Sequence, residues 1–403
     1  MSGSAAVRTP SGSVRSSRRR TYGADVRAPI ETDPGSVTVL HAVQPGDGGV
    51  ARVVVDLLRA QRADGLRPVV ACPPGTALAA ELRADGAEVR DWRAGRDPGP
   101  ALFRETRDLA RVVRAVRPGL VHAHSAKAGL CARLAVRGRI PTVYQPHAWS
   151  FEAVTGATAE LARRWERFGA RWTDRILCVS GAERRTGEEA GVEAAWSVVH
   201  NGVDVARFAT DGPAGNPAPT VVCVGRLCRQ KGQDVLLAAW PAVLAEVPDA
   251  RLVLVGDGPD GERLRAAAGP SVRFTGAVGD TVPWYRAADV VVLPSRWEGM
   301  ALAPLEAMAA GRPVVVTDVD GARESLPPGH EAPCLVPSED PAALAAALGR
   351  LLGRPELRHR LGREAHEHVL SSFDVRRTGA AVAEIYRELA GVRGTEHREP
   401  IAQ

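Results

Sequence analysis

The chain has 403 residues and 45% hydrophobic composition, a length that suits two domains of about 170 residues, each with its own core. It contains no apolar run near the roughly 18–20 residues of a membrane span and no signal-peptide core, which predicts a cytoplasmic protein, at most peripheral to the inner membrane face. A net charge of +5 fits work beside an anionic bilayer and also a DNA-binding protein, but only 4% aromatics and no basic recognition helix argue against nucleic acid as a partner. The six cysteines (Cys72, Cys131, Cys178, Cys223, Cys228 and Cys334) form no CxxC pair and have no histidine at metal spacing, so they read as reduced, buried thiols.

Residues 1–35, rich in Ser, Gly, Pro and Arg, read as a disordered basic arm. Its cluster Arg15, Arg18, Arg19 and Arg20 either meets anionic lipid or keeps the chain soluble. Apolar runs then alternate with helical patterns, as in parallel sheets with helices on both faces. Strands are expected at Val37–Val43, Pro68–Ala71, Glu88–Trp92, Leu120–Ala123, Thr142–Gln145, Arg175–Val179 and Ser197–Val199, giving an N-terminal domain over 36–210. A Pro- and Gly-rich linker follows at 211–219. A second series starts at Thr220 and continues at Arg251–Val255, Val272–Phe274, Asp289–Leu293 and Val314–Val316, giving a domain over 220–372. A last helix lies within 373–391, and 392–403 is a tail. Two wound sheets on a short linker leave a cleft between them.

Several residues point chemistry into that cleft. Pro45-Gly46-Asp47-Gly48-Gly49 follows the first strand, and its amides are open to an anion because no side chain intervenes. It is not GxGxxG and no acidic ribose reader follows, which disfavours an NAD enzyme. His122 and His124 flank Ala123 at a strand end, with one expected to face the cleft and the other the opposite side; His147 ends the next strand. Lys127 has two readings, contact with an anionic acceptor or exposure to water. Lys231 is one of only two lysines in a chain with 52 Lys plus Arg. Its place between a strand and a helix suits a compact ammonium facing an anion. Glu298 and Glu306, in EGMALAPLEAMAAGRP, bracket a loop entering a helix over Met300–Ala310, whose Pro304 is tolerated in the first turn. Glu298 falls where a strand's carboxyl end meets the helix N-terminus, which suits sugar hydroxyls, while Glu306 inside the helix suits a ribose.

SRWEGMALAPLEAMAAGRPVV resembles the E-x7-E signature of retaining glycosyltransferases of the group 4 class, and VGRLCRQKG, Val224–Gly232, resembles the motif that precedes it in that family. The resemblance spans about residues 37–391 and implies an α/β fold of the GT-B type, two Rossmann-like domains facing a cleft. It implies Arg226 and Lys231 at the donor diphosphate, with Gly48 and Gly49 facing it from the other domain. VHAHSAKAG implies His124 as first contact with the donor sugar and His147 as second. The resemblance also implies Gly258 in a turn near the nucleotide, and Glu298, Gly299, Met300, Ala301 and Glu306 as holding the donor. His124, Glu298, Arg226 and Lys231 form the implied catalytic set. VVHNGVDVARF resembles the inter-domain stretch, with an Asn201-Gly202 turn and Asp204 as the cap of the next segment, and Val375–Leu389 resembles a helix that crosses back onto the first domain. The implied activity is hexosyl transfer with retention from a UDP- or GDP-type nucleotide sugar, with no metal and no cofactor. The acceptor would be a cell-envelope glycan, a lipid-linked sugar or a small metabolite. A nucleotide-sugar epimerase or a non-catalytic nucleotide-sugar-binding protein of the same fold is the alternative.

Overall fold

The computed structural model describes residues 37–96, 98–209 and 217–391. The expected basic arm, most of the linker and the tail therefore lie outside the described residues. Thr38–Val43 (β1), Arg67–Cys72 (β2), Glu88–Asp91 (β3), Leu120–His124 (β4), Thr142–Gln145 (β5), Arg175–Cys178 (β6) and Trp196–Val198 (β7) form one sheet in the order β3-β2-β1-β4-β5-β6-β7. Thr220–Val224 (β8), Arg251–Val255 (β9), Val272–Gly276 (β10), Val290–Leu293 (β11), Val314–Thr317 (β12) and Leu335–Val336 (β13) form the other, in the order β10-β9-β8-β11-β12-β13. The strand pairs in both sheets are parallel. Runs such as VVVL in β11 and VVVT in β12 are buried at every position, because helices cover both faces of such a sheet. Only β13, two residues long, goes beyond the expected strands; it is too short to carry a period.

Each sheet reverses its winding once, between β1 and β4 and between β8 and β11. At such switch points the loops leaving neighbouring strands diverge and open a crevice at the strands' carboxyl ends. The glycine turn and His124 lie at the first; Gly225–Lys231 and Pro294–Ala301 lie at the second.

The lobes are tied through the helix Val375–Leu389, as expected. Asp374 caps it by accepting from Arg376 N at 2.9 Å, and Val203 bonds to both sides of the cap, N to Phe373 O and O from Val375 N. The helix then lies on Gly48–Ala63, with Val382, Ile385 and Tyr386 packed among Val39, Leu57, Leu120, Val143 and Leu177. A Cβ on Gly379 would run into Cβ of Ala60, so glycine sets how closely the two helices approach. Among the described residues, no helix is long and apolar enough to cross a membrane.

Candidate active site between the two sheets

On the second sheet, the loops after β8 and β11 meet. Gly232, at φ +65°, sits so close to the Pro294 carbonyl that a Cβ would collide with it. That contact brings Lys231, the last residue of a single 3₁₀ turn, beside Glu298: Nζ lies 2.5 Å from Glu298 Oε1. Ser295 Oγ donates to the same oxygen at 2.7 Å, and Gln230 Nε2 donates to Trp297 O at 3.0 Å. Arg296 pins the loop from outside through both oxygens of Asp234, at 2.9 and 3.0 Å. The half-buried Arg226 guanidinium makes no hydrogen bond or ion pair among the described residues, and its backbone carbonyl accepts from Gln233 Nε2 at 3.0 Å. Gly258 packs against the carbonyl of Leu227, closing the turn on which Arg226 stands.

The helix between β11 and β12 runs over Leu302–Ala309, with Ala301 as its cap. Glu306 is buried in it and Tyr285 donates its hydroxyl to Oε2 at 2.6 Å. Burial raises the Glu306 pKa, opposed by the Tyr285 hydrogen bond and the charges of Arg52 and Arg207. One oxygen of the expected ribose acceptor is thus already engaged.

Residues 299–301 are also held by the first lobe. Ser180 Oγ donates to Gly299 O at 2.9 Å and Asn201 Nδ2 to Met300 O at 2.8 Å. A Cβ on Gly299 would lie 2.8 Å from Glu183 Oε1 and 3.0 Å from Ala148 N, so glycine is required for the loop to seat there. The carbonyls of Gly299 and Met300 therefore serve the joint between lobes, while the half-buried Ala301 heads the helix. Glu183 accepts from Ala148 N and Val179 N, both at 2.7 Å, and burial pushes its carboxyl up to about 8. Asp204 caps the next turn by accepting from Arg207 N, as expected.

On the first sheet, Gly48 and Gly49 are exposed at the start of the helix Gly48–Ala63, Gly48 at φ +71°. The expectation that His122 and His124 face opposite sides is corrected. Residues two apart on a strand share a face, and their ring centroids are 3.9 Å apart. Ala123 alone points the other way. His124 is fully buried and hydrogen-bonds through Nδ1 to Nε2 of His147 at 3.2 Å. His147, half-buried at φ +59°, is thus the outer ring and His124 the one behind it. Neither reading of Lys127 holds: its helix packs on Leu102–Val116 and its ammonium sits 2.7 Å from Glu105 Oε2, with both side chains buried. His41, His122 and His124 carry ring nitrogens within 4.8 Å of one another, the one group at metal-ligand spacing among the described residues. Burial lowers the pKa of all three, His41 to about 4, and that of His147 to about 3, which keeps these rings neutral. Ser180, Glu183, Tyr285 and Ser295 escaped sequence reasoning. Ser295 opens the stretch SRWEGMALAPLEAMAAGRPVV, and Glu298, Glu306 and Gly299 were expected in the site; that Ser295, Tyr285 and Ser180 reach them is decided by folding.

Two doubly wound parallel sheets, with an E-x7-E helix at the switch point of the second and a glycine turn at that of the first, define a GT-B glycosyltransferase. Residues 218–354 match the family model described as glycosyl transferases group 1, and residues 47–207 the model of glycosyltransferase family 4. The glycogen synthase of Mycobacterium tuberculosis is 31% identical over 391 residues, covering 88% of this chain and 94% of the relative. The D-inositol 3-phosphate glycosyltransferase of Streptomyces scabiei is 32% identical over 437 residues, covering 94% of each. Among solved structures, Anabaena Alr3699/HepE in complex with UDP and glucose superposes with a TM-score of 0.75 at 22% identity, covering 87% of this chain and 99% of that one. The chain belongs to glycosyltransferase family 4 and is a hexosyltransferase-type enzyme. Its relatives are named as sugar transferases and synthases, which disfavours the epimerase and binding-only readings.

Proposed function

We propose that the enzyme transfers a hexosyl group from a nucleotide sugar of the UDP or GDP type to an acceptor hydroxyl, with retention of anomeric configuration and without a metal or other cofactor. One observation carries this reading: the contact of Lys231 with Glu298, at 2.5 Å, where two switch-point loops meet at helix N-termini. A cation and a hydroxyl-accepting carboxylate held there suit the two halves of a nucleotide sugar, diphosphate and hexose. Arg226 and Lys231 neutralise the diphosphate as its charge grows, with Gly48 and Gly49 offering amides from the other lobe. Glu298, held by Ser295, accepts from sugar hydroxyls, and Glu306 accepts from the ribose. The acceptor oxygen bonds to the anomeric carbon on the face that the diphosphate leaves, and the departing phosphate oxygen takes the acceptor's proton. The acceptor is a cell-envelope glycan, a lipid-linked sugar or a small metabolite, met at or near the inner membrane face.

The test is thermal stabilisation by UDP, GDP, ADP and NAD. A ligand at about one hundred times its dissociation constant adds roughly 2.7 kcal/mol, enough to raise the melting temperature by several degrees. One nucleoside diphosphate should do so, and Glu306→Ala should abolish the shift. Stabilisation by NAD alone, or by none of the four, would sink the proposal.

A further inference from the structure

Beneath the cleft, six side chains are joined end to end. His147 Nε2 meets His124 Nδ1 at 3.2 Å, and His124 Nε2 meets His41 Nδ1 at 3.0 Å. His41 Nε2 meets Gln61 Oε1 at 2.9 Å, and Gln61 Nε2 donates to the Tyr386 hydroxyl at 3.2 Å. That hydroxyl meets His122 Nδ1 at 2.5 Å. All but His147 are fully buried. The chain runs from the loop packed against Gly299 to the crossover helix, using residues from β1, β4, the loop after β5 and two helices.

A neutral imidazole has one donor and one acceptor nitrogen, so such a chain is polarised in a single direction. An amide flip of Gln61 would reverse every bond in it; the other end decides between the two. With Gln61 Oε1 accepting, His41 carries its proton on Nε2, His124 on Nε2 and His147 on Nε2. Tyr386 then donates to His122 Nδ1, leaving the His122 proton on Nε2. That nitrogen is buried without a partner, and so is Oε1 of Gln145, on the paired strand β5, whose side chain favours a proton on His122. Donor and acceptor are complementary in this polarity. The reverse polarity sets two acceptors against each other and would require the Gln145 amide to flip as well.

We propose that Tyr386 and Gln61 are positioning residues for the transfer: through His41 and His124 they hold His147 in the tautomer whose Nε2 proton points inward, leaving Nδ1 as the hydrogen-bond acceptor of the outer ring. The assignment of a role in transfer rests on the donor site proposed above. Tyr386 rides on the helix that ties the lobes together, so the docking of that helix on Gly48–Ala63 is what fixes the tautomer. The competing use of the same rings is metal ligation, in which His41 Nδ1 and His124 Nε2 would both turn lone pairs to an ion and lose the hydrogen bond between them.

The experiment is ¹⁵N NMR of the histidine-labelled enzyme, with the His147 signals identified from His147→Gln, together with release of nucleoside diphosphate from UDP-glucose and from GDP-mannose. In the wild type, His147, His124 and His41 should each be neutral and protonated on Nε2. Gln61→Met and Tyr386→Phe, both close in shape to the residues they replace, should let His147 populate both tautomers. They should lower kcat by about 10- to 100-fold, the usual cost of losing an outer-shell partner, with little change in KM. An Nδ1-protonated His147 in the wild type would overturn the proposal, as would tautomers unmoved in both variants or one equivalent of tightly bound metal in the purified protein. If the wild type releases neither UDP nor GDP, the donor assignment fails, while the tautomer result still decides the polarity.

Discussion

Replacing Lys231 by methionine separates what the ammonium does for stability from what it does for transfer. Its Nζ is 2.5 Å from Glu298 Oε1, a gross attraction of about 6–7 kcal/mol at an effective dielectric of about 20. Most of that is offset by desolvation and by the exposure of the lysine side chain, 19%. Glu298 also keeps the Ser295 hydroxyl at 2.7 Å, so Lys231→Met leaves the carboxylate partly satisfied. The expected cost is that of an under-satisfied charged hydrogen bond, about 2 kcal/mol, or a fall of about 2–4 °C in a chain of this size. Turnover should fall much further, about 10²- to 10³-fold, because a preorganised cation at the leaving group acts mainly in the transition state. The double variant Lys231→Met/Glu298→Gln removes the orphaned charge and should recover the melting temperature without recovering turnover. Differential scanning fluorimetry and release of nucleoside diphosphate read the two effects. Near-normal turnover in Lys231→Met, or recovery of turnover in the double variant, would refute the reasoning.

Stability should fall on both sides of near-neutral pH. Burial pushes Glu183 up to about 8, so between its ordinary value of 4.5 and that point the folded chain holds a proton the unfolded chain has lost; stability then drops by up to about 1.4 kcal/mol per rising pH unit. His41, lowered to about 4, acts oppositely, losing stability as pH falls below 6.5. From pH 6.5 to 8 the carboxyl acts without the histidines, and a flat melting temperature there, or a slope unchanged in Glu183→Gln, would count against this account. At the crossover helix, Gly379→Ala sets a methyl against Ala60 and should cost about 1–3 kcal/mol by overpacking. Ala60→Gly in the same chain should restore most of it in urea unfolding, whereas simply additive losses would mean that the contact is not tight.

Two series of parallel strands are legible in the sequence, because helices on both faces of a sheet demand apolar runs long enough to read, as in VVVL and VVVT. The loop-then-helix placement of Glu298 and Glu306 is legible too, since Pro294 ends one element and Pro304 is tolerated near the start of the next. Lys231 stands out because arginine is the default cation of this chain. The partners of these residues were not legible. The hydroxyl on Glu306 comes from Tyr285, 21 residues away, and the one that ends the histidine chain comes from Tyr386, 264 residues from His122. Lys127 read equally as a contact for an anionic acceptor or as exposed to water until helix packing set Glu105 against it. His122 and His124 could have been placed on one face from the strand period alone; that His147 stands outside them required the loop after β5 to fold back at positive φ. Local patterns encode which residues enter a strand or a helix turn. Which side chains meet at a switch point depends on how two sheets and one crossing helix pack, and that is decided only in three dimensions.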